Sequence, residues 1–314
     1  MENKTVLISG GTGMVGTALT KHLVSAGYQV TILTRNPQKA KVPAGLKDKV
    51  RFAVWDVDAQ TIDLTAVAEA IALVHLAGAG VVARPWTDAY KKEIRDSRVL
   101  SSQLLINAIK KAGNKLTTVV SASAIGWYGS DKAGQPPFTE DAPAAPGFLG
   151  DTCREWEASI QPVTELDKRL SILRFGIVLS NESGALPEFK KTLDLRVASV
   201  LGNGEQIISW IHIDDLCRMI LYAIENHQMQ GIYNAVAPQP VTNCSFNNTL
   251  ATCMYGNAFI ALPVPAFILK IMMGERSIEV LKSTTVSAAK IQQAGFTFTY
   301  PDAQKALAQL TKQE

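Results

Sequence analysis

Residues 5–16 read TVLISGGTGMVG, an apolar run that enters a glycine-rich turn and leaves it as a helix. Gly10, Gly13 and Gly16 stand at G-x-x-G-x-x-G spacing between the two. Glycines there allow a tight turn and a close backbone approach to a pyrophosphate. The first helical N–H groups, around Thr12, Met14 and Val15, add partial positive charge. The stretch commits the start of the chain to a strand–turn–helix unit and points to a nucleotide ligand.

The alternation continues. Strands are expected at 5–10, 29–35, 50–56, 72–78, 117–123 and 170–179, with helices at 14–26, 63–71, 87–112 and 149–160 between them. Short apolar runs joined by helical crossovers mean a parallel, doubly wound sheet covered on both faces. The fold class is therefore α/β: a Rossmann sheet with a smaller C-terminal α/β lobe. Residues 1–180 form the nucleotide-binding domain. Residues 181–207 read as a Gly-punctuated excursion, and the chain returns at about 208–238, where Asp214 or Asp215 is placed to cap a helix and GIYNAVAP (231–238) supplies a last strand. Residues 239–314, with 181–207, form the small lobe.

Composition removes several classes. Of 314 residues, 47% are hydrophobic and 19% charged, enough for a sizeable core. The net charge of +3 is scattered rather than gathered into a run, so no nucleic-acid partner is expected. Cys153, Cys217, Cys244 and Cys253 show no C-x-x-C spacing, which argues against a metal site or a disulfide framework and fits a reducing cytoplasm. No apolar run reaches the ~20 residues that span a bilayer. The nearest, IALPVPAFILKIMMG (260–274), is broken by Pro263, Pro265 and Lys270 and is expected as a core or pocket-lining helix.

The second strand ends in ILTRNPQK, with Thr34 and Arg35 where a carboxylate would serve a free ribose diol. A guanidinium clamps a phosphate that a carboxylate would repel, and no acid occurs from Gln29 to Lys39. That favours NADP(H) over NAD(H). Asp56, closing the third strand, is a candidate for the adenine amino group or an ordinary polar strand end. Leu76, Ala77 and Gly78 in HLAGAG would flank the cofactor, with His75 expected as a packed histidine.

The glycine loop, HLAGAG, VVSASAIGWYG and WIHIDDL together resemble the extended short-chain dehydrogenase/reductases of the NAD-dependent epimerase/dehydratase group. RDSRVLSSQLLINAI, GFLGDTCREWE, LRFGIVLSNESGALP, LGNGEQIISWIHIDDL and MMGERSIEVLKS narrow the resemblance to an atypical, YfcH-like branch with a C-terminal DUF1731 domain, here at about 263–311. The resemblance implies a Rossmann core, a bound nucleotide and a small-molecule substrate, with a homodimer through helices 87–112 and 149–160 left open. It supplies no reaction.

In typical members a Tyr-x-x-x-Lys pair moves the proton at the substrate oxygen. Counting back from Glu157, which matches the Glu four residues after that Lys, puts Leu149 and Cys153 at the two positions. Leu has no proton to give and a neutral thiol has no ammonium field, and losing a positioned acid/base costs about 10²–10⁴ in rate. The remaining candidates are Ser123 at the superfamily's Ser/Thr position, Tyr128 as a substitute acid or pocket lining, and Cys153 as a thiolate if Arg154 or a helix N-terminus lowers its pKa, otherwise a buried small hydrophobe. Ser121 sits beside Ser123 at the mouth. Ser97 falls at the superfamily's helical Asn. Glu140 and Asp141 are candidate mouth carboxylates, Arg98 and Arg174 candidate anchors for an anionic substrate, and Trp210 and His212 elements of the return to the sheet.

Overall fold

The computed structural model describes residues 4–42, 45–113 and 115–312; the extreme ends of the two outer expected segments lie outside them. The first half follows the alternation: β1 (Thr5–Ser9), α1 (Met14–Ser25), β2 (Gln29–Thr34), β3 (Val50–Asp56), β4 (Thr61–Ile62), α2 (Leu64–Glu69), β5 (Ala70–His75), α3 (Asp88–Lys111), β6 (Thr118–Ala124), α4 (Phe148–Ile160) and β7 (Arg169–Phe175). With β12 (Gly231–Ala235) they build one eight-stranded sheet, ordered β12-β7-β6-β5-β1-β2-β3-β4 and parallel except at β3–β4. Strand order reverses beside β1: β2 and β3 extend to one side, β5, β6, β7 and β12 to the other. Ligands of open α/β sheets bind at such a reversal, outside the carboxyl ends of the strands.

With helices on both faces, the central strands are largely buried rather than alternating, β1 (TVLIS) throughout, whereas β3 towards the edge alternates between buried and exposed positions. One face carries Val6, Ile8, Leu19, Leu23, Leu216 and Ile220; the other carries Leu7, Leu73, Leu104, Leu105, Val119 and Ile172.

After β7 the chain leaves the sheet. Gly176 separates β7 from β8 (Ile177–Leu179), so the single strand expected at 170–179 is two. Then come α5 (Ala185–Leu193), β9 (Val197–Leu201), β10 (Ile207–Ile208) and β11 (Trp210–His212), which returns the chain through α6 (Ile213–Glu225) to β12. The small lobe is completed by β13 (Val241–Thr242), α7 (Asn243–Tyr255), β14 (Ile260–Val264), α8 (Ala266–Met273), α9 (Ser277–Leu281), α10 (Ala289–Gln293) and α11 (Ala303–Leu310). Its core gathers Leu186, Trp210, Phe246, Leu250 and Leu307 from segments on both sides of α6.

Two expectations are corrected here. Neither Asp214 nor Asp215 caps α6: the cap is His212, whose ring accepts from Asp214 N, while Asp215 turns into the protein. Residues 260–274 are not one core helix; the pocket-lining alternative holds for their second half, where Ala266, Lys270 and Gly274 line a cleft. Pro265 divides them into β14, which contains Pro263 and pairs with β9, and α8, in which only Leu269 is buried while Phe267, Ile271 and Met272 are 64%, 80% and 72% exposed. Proline cannot extend a helix through a donor it lacks, so the apolar run ends as two short elements.

Candidate functional site

The β1–α1 turn is shaped by close backbone contacts. A Cβ on Gly10, whose φ is +72°, would lie 2.7 Å from the carbonyl carbon of Leu76; on Gly16 it would lie 2.4 Å from the oxygen of Gly10. Gly13 differs, because a Cβ there would meet only Gly10 O at 3.4 Å. Gly13 is the N-cap of α1 and supplies no side-chain acceptor, so the first-turn N–H groups of Met14 and Val15 face outward uncapped beside exposed Thr12. Protein packing explains Gly10 and Gly16; at Gly13 the protein itself leaves room for a side chain.

On one side of the turn, exposed Arg35 follows β2 with no carboxylate partner among the described residues, and Thr34 Oγ1 accepts from Asn36 N at 3.3 Å. Asp56 Oδ1 accepts from Asp58 N and Ala59 N, which gives it the turn-forming role of a strand end. On the other side, Leu76 N is held by Ser9 O at 3.0 Å, Ala77 is half-buried and Gly78 exposed. His75 is fully buried between Ser9 Oγ at 2.6 Å and Ser102 Oγ at 3.2 Å. Burial, with the field of Arg98, pushes its pKa down to about 3, so the ring is a neutral packed group. Ser121 is buried, its hydroxyl on Ala122 O.

Above the ends of β6, β7 and β12 lies a buried polar network. The Ser123 hydroxyl donates to Glu157 Oε1 at 2.6 Å, and Glu157 receives Arg174 Nε and Nη2 at 2.8 and 2.9 Å. Arg174 Nη1 donates to the Tyr128 oxygen at 2.9 Å and to the carbonyl of Glu140 at 3.1 Å. Tyr128 donates to Asn234 Oδ1 at 2.7 Å, and Asn234 N donates to the Glu140 carboxylate at 2.8 Å. The guanidinium stacks 3.8 Å over Trp127. Arg174 is thus spoken for by protein groups, Glu140 is a buried strut rather than a solvated loop acid, and Asp141 stays exposed. Burial raises the Tyr128 pKa against the opposing pull of Arg174.

The thiolate reading of Cys153 is overturned. Burial and the Glu157 charge push its thiol up to about 11, while Arg154 is exposed and paired with Asp151. With Leu149 it faces Gly126: a Cβ there would touch Leu149 Cβ at 3.5 Å and Cys153 Sγ at 3.7 Å. Sequence reasoning used Glu157 only to count positions and passed over Asn234. The signal available was a Glu and an Arg on apolar elements, where a charge survives only if it is paired.

A cleft of about 1070 Å³ opens between the sheet domain and the small lobe, lined among others by Trp86, Asn203, Gln206, Lys270, Ile278 and Leu281. Ser123, Tyr128, Leu149 and Cys153 are not among its lining residues. Arg276 Nη1 on the small lobe reaches Val82 O at 2.8 Å, and Lys91 pairs with Glu275. Trp210 is buried, its Nε1 on Gln239 O, and His212 lies against Tyr300 at 3.9 Å with Nε2 2.9 Å from Gln309 Oε1. Both are built into the protein. Among the described residues no group of three or more His, Cys, Asp and Glu is placed to hold a metal, and no helix is long and apolar enough to cross a membrane.

Residues 6–149 match the NAD dependent epimerase/dehydratase family and residues 264–310 the domain of unknown function DUF1731. The chain is 34% identical over 98% of its length to an epimerase family protein of Staphylococcus saprophyticus, covering 99% of it. It is 32% identical over 96% of its length to an epimerase family protein SDR39U1 homolog, chloroplastic, of Arabidopsis thaliana, covering 85% of that protein. The crystal structure of human epimerase family protein SDR39U1 (isoform 2) with NADPH superposes with a TM-score of 0.84 at 28% identity, covering 98% of this chain and 99% of the human one. The Rossmann sheet, the glycine turn at its reversal point and the C-terminal lobe agree with these matches, and the chain belongs to the NAD dependent epimerase/dehydratase family, in the branch that carries DUF1731.

Proposed function

We propose that the protein is an NADP(H)-binding oxidoreductase or epimerase-like enzyme that works on a small-molecule substrate without a Tyr-x-x-x-Lys pair. The observation that carries the cofactor choice is Arg35, an exposed guanidinium at the end of β2 with no carboxylate partner among the described residues. The human relative solved with NADPH supports it. Gly10, Thr12, Gly13, Met14, Val15 and Gly16 would hold the pyrophosphate. Thr34 and Arg35 would hold the 2′-phosphate and Asp56 would face the adenine, while Leu76, Ala77, Gly78 and Ser121 would flank the cofactor on the side of β5 and β6. Bound there, the nicotinamide supplies or accepts a hydride.

The protein's own groups limit where a proton comes from. Ser123 has committed its hydrogen to Glu157 and Tyr128 its hydrogen to Asn234, so each can only accept a further bond. Cys153 stays protonated far above neutrality. The proton at the substrate oxygen then comes from the substrate or from water, with Ser123 orienting a donor and Tyr128 holding the network rigid. Arg35→Ala should lower the ratio of NADPH to NADH affinity by about 10- to 100-fold, the worth of one charge-assisted contact to phosphate; an unchanged ratio would sink the cofactor assignment.

A second reading, a non-catalytic NADP(H)-responsive binding protein, draws on the apolar pair Leu149 and Cys153 over Gly126. A carbonyl-substrate screen followed by NADPH absorbance separates the two: turnover abolished by Ser123→Ala excludes it. In either reading the expected setting is cytoplasmic, with α3 and α4 as the faces a homodimer would use.

A further inference from the structure

Arg98 on α3 is a buried guanidinium beside the loop that follows β5. It is 9% exposed and has no carboxylate partner among the described residues. Its Nη1 donates to Ala79 O at 3.0 Å and to Ile94 O at 2.8 Å, and its guanidinium lies 4.8 Å from the centre of the Trp156 ring. Nε and Nη2 are bonded to no described residue. The other deeply buried arginine, Arg174, shows what this protein does with a structural guanidinium: it gives it a carboxylate held on two nitrogens. Burying a charge without such a partner costs several kcal/mol unless a ligand completes its shell.

The position says which ligand group that is. A Cβ on Gly78 would lie 3.0 Å from the carbon at the centre of the Arg98 guanidinium, so Arg98 stands against the loop that follows β5. Its guanidinium faces Trp156 of α4, about one turn from Cys153, and its charge helps depress His75 at the end of β5. Arg35 lies at the end of β2, on the opposite side of the glycine turn. A dinucleotide with its phosphorylated adenosine at Arg35 and its pyrophosphate at the turn extends its other half over β5 and β6, where Arg98 waits.

We propose that Arg98 is the cation of the nicotinamide half of the site, donating to the vicinal hydroxyls of the nicotinamide ribose. It would deliver from α3 the positive charge that Cys153 does not supply from α4. The inference rests on the reading of an NADP(H) molecule in the crevice. A planar fork with free Nε–H and Nη–H donors matches two neighbouring oxygens, which a single point charge does less well.

Binding, rather than turnover, tests it. The probes are NADPH and 2′-phosphoadenosine 5′-diphosphate, which keeps the adenosine, the 2′-phosphate and the pyrophosphate but lacks the nicotinamide riboside. Arg98→Met should weaken NADPH about 10- to 100-fold, the loss of one hydrogen-bonded charge, and leave the truncated nucleotide within about twofold. Arg98→Lys, keeping the charge but not the fork, should fall between the unaltered protein and Arg98→Met in NADPH affinity; a Lys variant no better than Met would count against a charged contact to the ribose. The double variant Arg98→Met/Cys153→Lys should regain part of what Arg98→Met loses. Equal weakening of both nucleotides by Arg98→Met, or no weakening of NADPH, overturns the proposal, because the residue then serves the pyrophosphate or the fold alone. If the unaltered protein binds the truncated nucleotide and NADPH no tighter than it, the proposal fails while the nucleotide reading stands. If it binds neither, both fall.

Discussion

Gly13 and Gly16 stand three residues apart in one turn and are glycine for different reasons. An alanine methyl at 16 would press on backbone 2.4 Å away, whereas at 13 it would have room. Gly16→Ala should therefore cost about 1–3 kcal/mol of stability, as overpacking does. Gly13→Ala should leave stability within about 0.5 kcal/mol and still weaken NADPH, because its methyl occupies the approach to the uncapped N–H groups of α1. Denaturant unfolding and nucleotide titration of the two variants check the contrast; a Gly13→Ala protein that binds normally would remove the ligand explanation for that glycine. His75 gives a second residue-level prediction. Its pKa falls from 6.5 in the free side chain to about 3 in the fold. Between those values the unfolded chain holds a proton that the folded one refuses, so this contribution is complete above pH 6.5 and is lost progressively as pH falls toward 3. The slope is at most about 1.4 kcal/mol per pH unit. His75→Gln should lower stability at pH 7 and flatten its fall between pH 6.5 and 4.5; an unaltered slope would show that His75 is not the group responsible.

At the scale of elements, one buried carboxylate ties α4 to two strands of the sheet, beside the apolar packing of Ile160. Glu157 joins the helix to β7 through Arg174 and to β6 through Ser123. Glu157→Gln keeps the shape but leaves the Arg174 charge uncompensated, a loss of about 3–5 kcal/mol when one partner of a buried pair is removed. Arg174→Met added to it should recover part of that loss, since the orphaned charge goes too; a cycle with no coupling between the two substitutions would refute the strut. These elements also show what the sequence can and cannot tell. The glycine turn, the parallel strands and α4 were legible because each is encoded locally, by apolar runs, periodicity and punctuation. Thr34, Arg35 and the absence of nearby acid were legible for the same reason. The cap of α6 was not: His212 and Asp215 both carry suitable acceptors, and the choice depends on Thr299 and Tyr300, more than eighty residues on. Residues 260–274 misled because an apolar run looks alike whether its neighbours cover it or, as around Ile271, leave it exposed. The partner of Ser123 was hidden by the same kind of distance, for Glu157 and Arg174 meet only when α4 docks on β7.

Across the whole molecule the two lobes are laced together rather than joined in series. The chain leaves the sheet after β7, returns through β11, α6 and β12, leaves again, and brings its last segment back to α6. The fastening is Asp215, fully buried, which accepts from Thr299 N at 2.9 Å and Tyr300 N at 2.8 Å and pairs with Arg218 at 2.7 Å. Tyr300 then lies on the His212 ring and Gln309 holds its other nitrogen. Asp215→Ala would strip two backbone donors and a guanidinium of their acceptor at once, a loss of about 3–5 kcal/mol on the scale of broken buried networks. Because that acceptor ties one lobe to the other, the loss should be directional. The segment around 299–310 should become sensitive to limited proteolysis, and ligands that depend on the cleft between the lobes should weaken. The truncated nucleotide, which needs only the β1–α1 turn and Arg35, should bind much as before. A variant that melts as a single unit with an unchanged proteolytic pattern would mean that the small lobe is held by its apolar core around Trp210 and Phe246, with Asp215 merely occupying the seam.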